Sequence, residues 1–534
     1  MKRLLIALSI GLSASTAIAQ HHDHGSSGRE LLGTVRFEVS CAADVQPAFN
    51  RAMALFHSFH WTGAAQAFRD IAQRDPKCGM AYWGLAMVAA DNPFSWPGSL
   101  NLKTGPELIA KAREIGAGTQ RERDYIEALG LLYADHAATP HRVRALRYEE
   151  AMGRLAARYP KDVEAKILYG LALSANHDQN DRTYERPLKA VALLEPLMTP
   201  HPDHPGVAHY VIHSYDYPPL AHKGMEAAHR YAKIAADAPH AQHMPSHIFT
   251  RVGYWRESIA ANRASEAVAK GNVRDIAHAR DYMVYAYLQL AEDAAAEAVW
   301  ADTLKIRDVK GVTQPESFAF AAMPARLALE RGRWAEAARI ELPPGIVQAD
   351  WQRVPQSAAN VFFARALGAA RAGDAAAARR EIARLKELQV ALTERKSAYW
   401  AQQVGIAADV ASAWALRAEG RNDEALAAMR AAADAEDRTD KPVVTPGPLL
   451  PARELLGDML GELGRHAEAL KECEASLAKE PNRFRGLYGA AIAAERSGDR
   501  ARARAHYEKL AAMTAQSKSD RAELARVRQV LLQR

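Results

Sequence analysis

One pattern recurs along this chain at a near-constant interval, and few architectures accommodate it. Leu456-Gly457 is followed by Gly464, then Ala469, then Pro481, and the next turn, Gly498-Asp499, lies 34 residues after Gly464. The same order appears upstream: Gly253-Tyr254-Trp255 leads to Ser258, Gly332-Arg333-Trp334 to Ala337, Gly373-Asp374 to Ala378, and Gly420-Arg421 to Ala425. Near the start, His60-Trp61 leads to Ala64, Phe68 and Asp75-Pro76. Glycine removes the steric cost of a left-handed turn. Small residues let paired helices approach closely, and proline cannot continue a helix. A chain written this way is a series of helical hairpins. Each buries its apolar stripe only against its neighbours.

The spacing and residue types resemble the tetratricopeptide repeat over roughly residues 44–515. The fold expected is all-α, a tetratricopeptide-type right-handed solenoid. Hairpins are predicted near 45–75, 78–116, 119–159, 162–199, 204–236, 243–270, 275–306, 313–341, 355–392, 397–437, 448–480 and 483–513, with a capping helix near 519–532. Thr119-x-x-Glu122 fits a capping box. Proline-rich joints at 342–356 and 438–451 divide the array. The expected organisation is an N-terminal array with a histidine-rich groove at 44–341, a linker at 342–354 and C-terminal repeats at 355–534. By resemblance, the first helix of each pair lines a concave groove, and the default role is a scaffold that binds a peptide, a protein or a small ligand there. The segment from Asp237 to Gly253 also resembles that of exported bacterial tetratricopeptide proteins of unassigned activity.

Composition narrows the partners. The net charge of +6 is small and spread along the chain, so nucleic acid is not indicated. Residues 1–19 read as a signal peptide, with Lys2-Arg3, a short apolar run from Leu4 to Leu12, and Ala17-Ile18-Ala19 as the cleavage site. This predicts a soluble periplasmic protein with a flexible lead at 20–43. Cleavage after Ala19 leaves Gln20-His21-His22, and an amine with nearby imidazoles can hold Cu(II) or Ni(II) in a square plane. Export also permits a disulfide. Cys41 and Cys78 each stand near the start of a predicted helix in successive pairs. The alternative is two small buried thiols. Cys473 is expected in the core.

Nine of the twenty histidines fall between 201 and 247. His209 and His213 are four residues apart on one helix face, and His243 and His247 repeat that spacing in the next unit. Both pairs sit ten and six residues before a turn, at Pro219 and at Gly253. They are thus expected to face one hollow, with Asp216 and His278 as outer members. Three readings follow. Imidazoles at this spacing can hold zinc or copper, in a metal-binding protein or a metal-dependent enzyme. They can line a metal-free ligand groove. Or they can pack and cap short helices, as His204-Pro205 and His240 suggest. Tyr210 stands where a zinc protease would carry its glutamate, so no general base is indicated. No nucleophile elbow or phosphate-binding glycine loop is present.

Overall fold

The turns are where the repeat pattern puts them. Gly253, Gly332, Gly373, Gly420, Gly464 and Gly498 all take positive φ, between 62° and 89°, and each ends one helix just before its partner begins. The computed structural model describes residues 30–532. Residues 1–19, His21 and His22 lie outside them. From Leu31 onward the chain forms one compact unit of antiparallel helix pairs. Among the described residues the only β feature is an isolated bridge between Val309 and Ile346.

Alanine explains the close packing. Ala359, Ala364, Ala366, Ala369 and Ala370 on one helix, and Ala408, Ala411, Ala413 and Ala415 on another, are all buried. Two segments differ from expectation. Residues 31–43 are not a flexible lead. Leu32, Val35 and Phe37 are buried, and side chains hold the backbone: Phe37 N donates to Asn50 Oδ1 (3.0 Å) and Val39 N to Gln46 Oε1 (3.0 Å). The 342–354 segment is also packed, with Ile346 and Trp351 buried. Cys41 and Cys78 are disulfide-bonded, tying the lead to the start of helix Gly79–Ala90. Cys473 is a buried free thiol.

The helices that matter below are α1 (Gln46–His57), α2 (Val163–Ala175), α3 (Pro205–Tyr215), α4 (Pro239–His243), α5 (Pro245–Arg251) and α6 (Val273–Gln289). α3, the α4–α5 pair and α6 are the first arms of three consecutive hairpins. The C-terminal repeats close back onto them. Trp255 Nε1 donates to Asn482 O (2.9 Å), and buried Arg483 pairs with Glu330 (2.7 Å) and Glu454 (3.0 Å).

The bridge spans 37 residues. Chain-entropy reasoning values such a loop at about 4 kcal/mol. Reduction should therefore lower the denaturant midpoint by a corresponding amount, and only Cys473 should react with thiol reagents in the unfolded, non-reduced protein. Equal midpoints with and without reductant would count against the bridge.

Candidate metal centre

The local sequence aims the histidines. α3 starts on Pro205, with its N-terminus capped by His204 Nδ1, which accepts from Gly206 N (3.2 Å). His209 and His213 then stack one turn apart, ring centroids 4.8 Å from each other. In the next hairpin, Met244-Pro245 breaks the helix in two. That break lets α4 present His240 and His243 and α5 present His247. α6, capped by Asn272, contributes His278 and Tyr282.

Six imidazoles meet as two triads. In His209, His213 and His240, one nitrogen from each ring lies within 4.8 Å of the others, and the same is true of His243, His247 and His278. The triads adjoin, with His213 and His247 centroids 6.1 Å apart and those of His240 and His243 6.0 Å apart. His209, His213, His243 and His247 are at most 3% exposed. His240 and His278 are half-buried, one per triad. Phe94 stacks on His213 at 3.9 Å and Phe59 on His240 at 5.1 Å.

Hydrogen-bond bookkeeping fixes the tautomers. His209 Nδ1 donates to the His57 carbonyl (2.6 Å). Asn262 Nδ2 donates to Ser258 O (2.7 Å), so its Oδ1 must face His243, whose Nδ1 donates to it (2.6 Å). His247 Nδ1 donates to Asp216 Oδ2 (2.8 Å). In all three rings the proton sits on Nδ1, and Nε2 turns inward as an acceptor. His243 Nε2 and His247 Nε2 nevertheless stand 3.0 Å apart. Two lone pairs at that distance repel unless a cation lies between or beside them. His209 Nε2 lies 3.1 Å from His240 Nε2, and neither nitrogen of buried His213 has a partner. The Tyr282 hydroxyl is 3.3 Å from His247 Nε2 and also approaches the carbonyls of Val443 and Thr445 (3.4 and 3.3 Å).

Electrostatics keep the imidazoles neutral. Burial lowers His209 and His243 to about 3, and pushes His213, His240, His247 and His278 in the same direction. Burial alone would raise the Asp216 carboxyl. Lys441, Arg251 and His247 outweigh it and hold the group well below the usual carboxylate range. Arg251 Nε is 2.8 Å and Lys441 Nζ 3.8 Å from Asp216. Asp216 therefore acts behind His247, as an orienting partner.

A neighbouring cluster shows the opposite arrangement. His57 of α1 and His204 both donate through Nε2 to Glu164 of α2 (2.9 and 2.7 Å), while their Nδ1 atoms accept from Tyr210 OH (2.9 Å) and Gly206 N. Every polar atom of these two rings is satisfied, so this is a packing network. It fixes the backbone carbonyl of His57 that holds His209.

The structure thus brings together His209, His213, His243, His247 and His278. It adds His240, which the sequence placed among capping residues. The spacing His240-x-x-His243, one helical turn, was the available signal. Tyr282 stands one turn after His278 on α6 and Asn262 on the second arm of the α4–α5 hairpin, whereas Lys441 carried no signal because it reaches the site from a distant loop.

No family profile matches the chain, and no curated protein does. Among solved structures it is similar to yeast Tom70 (10% identity, TM-score 0.35, covering 91% of this chain and 95% of that one). It is also similar to the Cut9–Hcn1 hetero-tetramer (12%, 0.30, 92% and 96%) and to an IFIT1 monomeric mutant with Gppp-AAAA (12%, 0.36, 90% and 98%). Scores this low bear on no function. The stacked hairpins and their glycine turns make the chain an α-solenoid of tetratricopeptide type.

A group whose folded pKa lies below its unfolded value of about 6.5 binds protons more readily when unfolded. Its stabilising contribution is complete above pH ~6.5 and is lost as pH falls towards the folded value. For His209 and His243 the loss at pH 5 is about 2 kcal/mol each. The metal-free protein should therefore lose about 4 kcal/mol or more between pH 7 and pH 5. Denaturant melts that stay flat over this range would contradict the burial of neutral imidazoles.

Proposed function

We propose that this protein is an exported metal-binding repeat protein, in which the two histidine triads hold transition-metal ions. The observation that carries the reading is the 3.0 Å approach of His243 Nε2 to His247 Nε2 while both Nδ1 protons are committed to oxygen acceptors. Metal-bound histidines are oriented in this way, with the outer N–H given to a carboxylate, an amide oxygen or a carbonyl. Six neutral imidazoles, with the only adjoining carboxylate placed behind a ring, form a borderline-soft donor set. Such a set suits copper and zinc over magnesium or calcium. His209, His213 and His240 would hold one ion, and His243, His247 and His278 the other. The half-buried His240 and His278 leave a route for an ion to enter.

A peptide groove is less well served at this place, because the four central rings are enclosed rather than lining an open channel. Partner binding, the default role of a helical-repeat scaffold, falls to its other faces. Among the described residues no helix is long and apolar enough to cross a membrane. Periplasmic export is supported by the leader-like residues 1–19 and by a disulfide, which persists in oxidising compartments. The His21-His22 lead would be a separate Cu(II) site.

Elemental analysis after equilibration with copper or zinc should find two ions per chain when His21 and His22 are replaced by alanine. His247→Ala should lose one ion, and His247→Ala with His213→Ala should lose both. Saturation should also raise thermal stability, by about 4 kcal/mol for each ion when the free ion is 1,000-fold above Kd. A metal-free protein whose unfolding ignores both ions would refute the reading. N-terminal sequencing of the periplasmic fraction should begin at Gln20 if export is correct.

A further inference from the structure

The 438–451 segment that reaches Tyr282 also walls a cavity of about 130 Å³, roofing the helices Pro355–Arg371 and Ala398–Ala418. Its floor is apolar: Phe318, Phe363, Trp400, Val404 and Leu449. A dry cavity of about 150 Å³ is enough to take a benzene ring. Two polar residues of this lining are unusual. Lys441 is almost completely buried, and its Nζ has no hydrogen-bond partner. Asp440 is completely buried, and neither of its carboxylate oxygens accepts a hydrogen bond, although Arg182 lies 2.6 Å away. Both groups already have a charge partner, Asp216 at 3.8 Å from Lys441 Nζ and Arg182 beside Asp440, but a ligand that hydrogen-bonded to them would fill the bonds they leave unmade.

The charges around the cavity already balance. Lys441, Arg251 and Arg182 face Asp216, Asp440 and Glu480, and the lining adds one residue of each sign, Lys479 and Glu436, the latter raised to about 7 by burial. A ligand of one net charge would break that balance inside a low-dielectric pocket, whereas a zwitterion would keep it. We infer that this cavity binds a free α-amino acid with an apolar side chain. Its carboxylate would meet Lys441, its ammonium group Asp440 and Glu480, and its side chain Phe318, Phe363 and Trp400. The cavity contains none of the six ligand histidines, and Lys441, which it shares with the metal site, also pairs with Asp216 behind His247 (3.8 Å). Burial and the neighbouring Arg251 push the Lys441 amine down to about 8, so it is still an ammonium at neutral pH and gains from an incoming carboxylate.

The test uses the full mature protein, with and without chelator, and two readouts: calorimetric titration and thermal unfolding. The probes are L-leucine and L-phenylalanine, with N-acetyl-leucine, leucinamide and isovalerate as analogues carrying one charge. At least one amino acid should bind with a Kd of about 1 mM or tighter. The one-charge analogues should bind at least about tenfold more weakly, because each leaves a buried charge unpaired. Lys441→Met should abolish binding. Ala407→Phe, which fills the cavity and leaves every charge in place, should abolish it as well and serves if the Lys441 variant does not fold. Failure of both amino acids at about 10 mM, equal binding of a one-charge analogue, or unchanged binding by Ala407→Phe would each overturn the inference. The amino-acid titrations and Ala407→Phe leave the Lys441–Asp216 pair behind His247 in place, so the two readings fail separately in those arms.

Discussion

An imidazole buried without charge has one proton to place, and the groups behind it decide where that proton goes. In this protein a backbone carbonyl, an amide oxygen and a carboxylate each take the Nδ1 proton of one ring, so His209, His243 and His247 all turn Nε2 towards the same interior. The rest of the centre depends on that choice. With the protons on Nε2, His243 and His247 would be donors facing each other, and a site for a cation would become a clash of N–H groups. The supporting groups are themselves held in place. Asn262 is oriented by Ser258 O, Asp216 by Arg251, and the His57 carbonyl by a ring locked onto Glu164.

The solenoid supplies the second requirement, proximity. Stacked hairpins put first helices side by side, so residues of equivalent register face each other without any long-range pairing. The middle unit departs from the pattern at Met244-Pro245, and the departure is productive. An unbroken helix would carry His240, His243 and His247 on one fixed stripe. The break divides them, so that α4 serves both triads while α5 carries His247 onto Asp216. Two adjoining histidine clusters thus come to different ends: His57 and His204 are fully satisfied packing groups, whereas both nitrogens of His213 lack a partner and His243 and His247 meet Nε2 to Nε2.

Much of this was legible in the sequence. The glycine turns marked the hairpins because a positive φ excludes most other residues, and the doubled four-residue histidine spacing marked two adjoining faces. His240 was read as a cap because it follows Pro239, a usual helix start, and that explanation obscured its one-turn relation to His243. The 31–43 segment was read as mobile although Val35, Phe37 and Val39 alternate. In a helical repeat, a short extended strap held by side chains such as Asn50 and Gln46 shows only that brief alternation, outside the helical period. Lys441 was invisible for a plainer reason: its role depends on which distant elements touch.

The cover over the second triad is made late. Val443 and Thr445, whose carbonyls meet the Tyr282 hydroxyl, come 161 and 163 residues after it in the chain. A ribosome therefore finishes all six histidines long before it makes the segment that closes over them. If the chain crosses the inner membrane unfolded, closure waits until the whole polypeptide has emerged. On the reading proposed above, any ion held there would then be chosen by the supply of the destination compartment and not by the cytosolic metal pool.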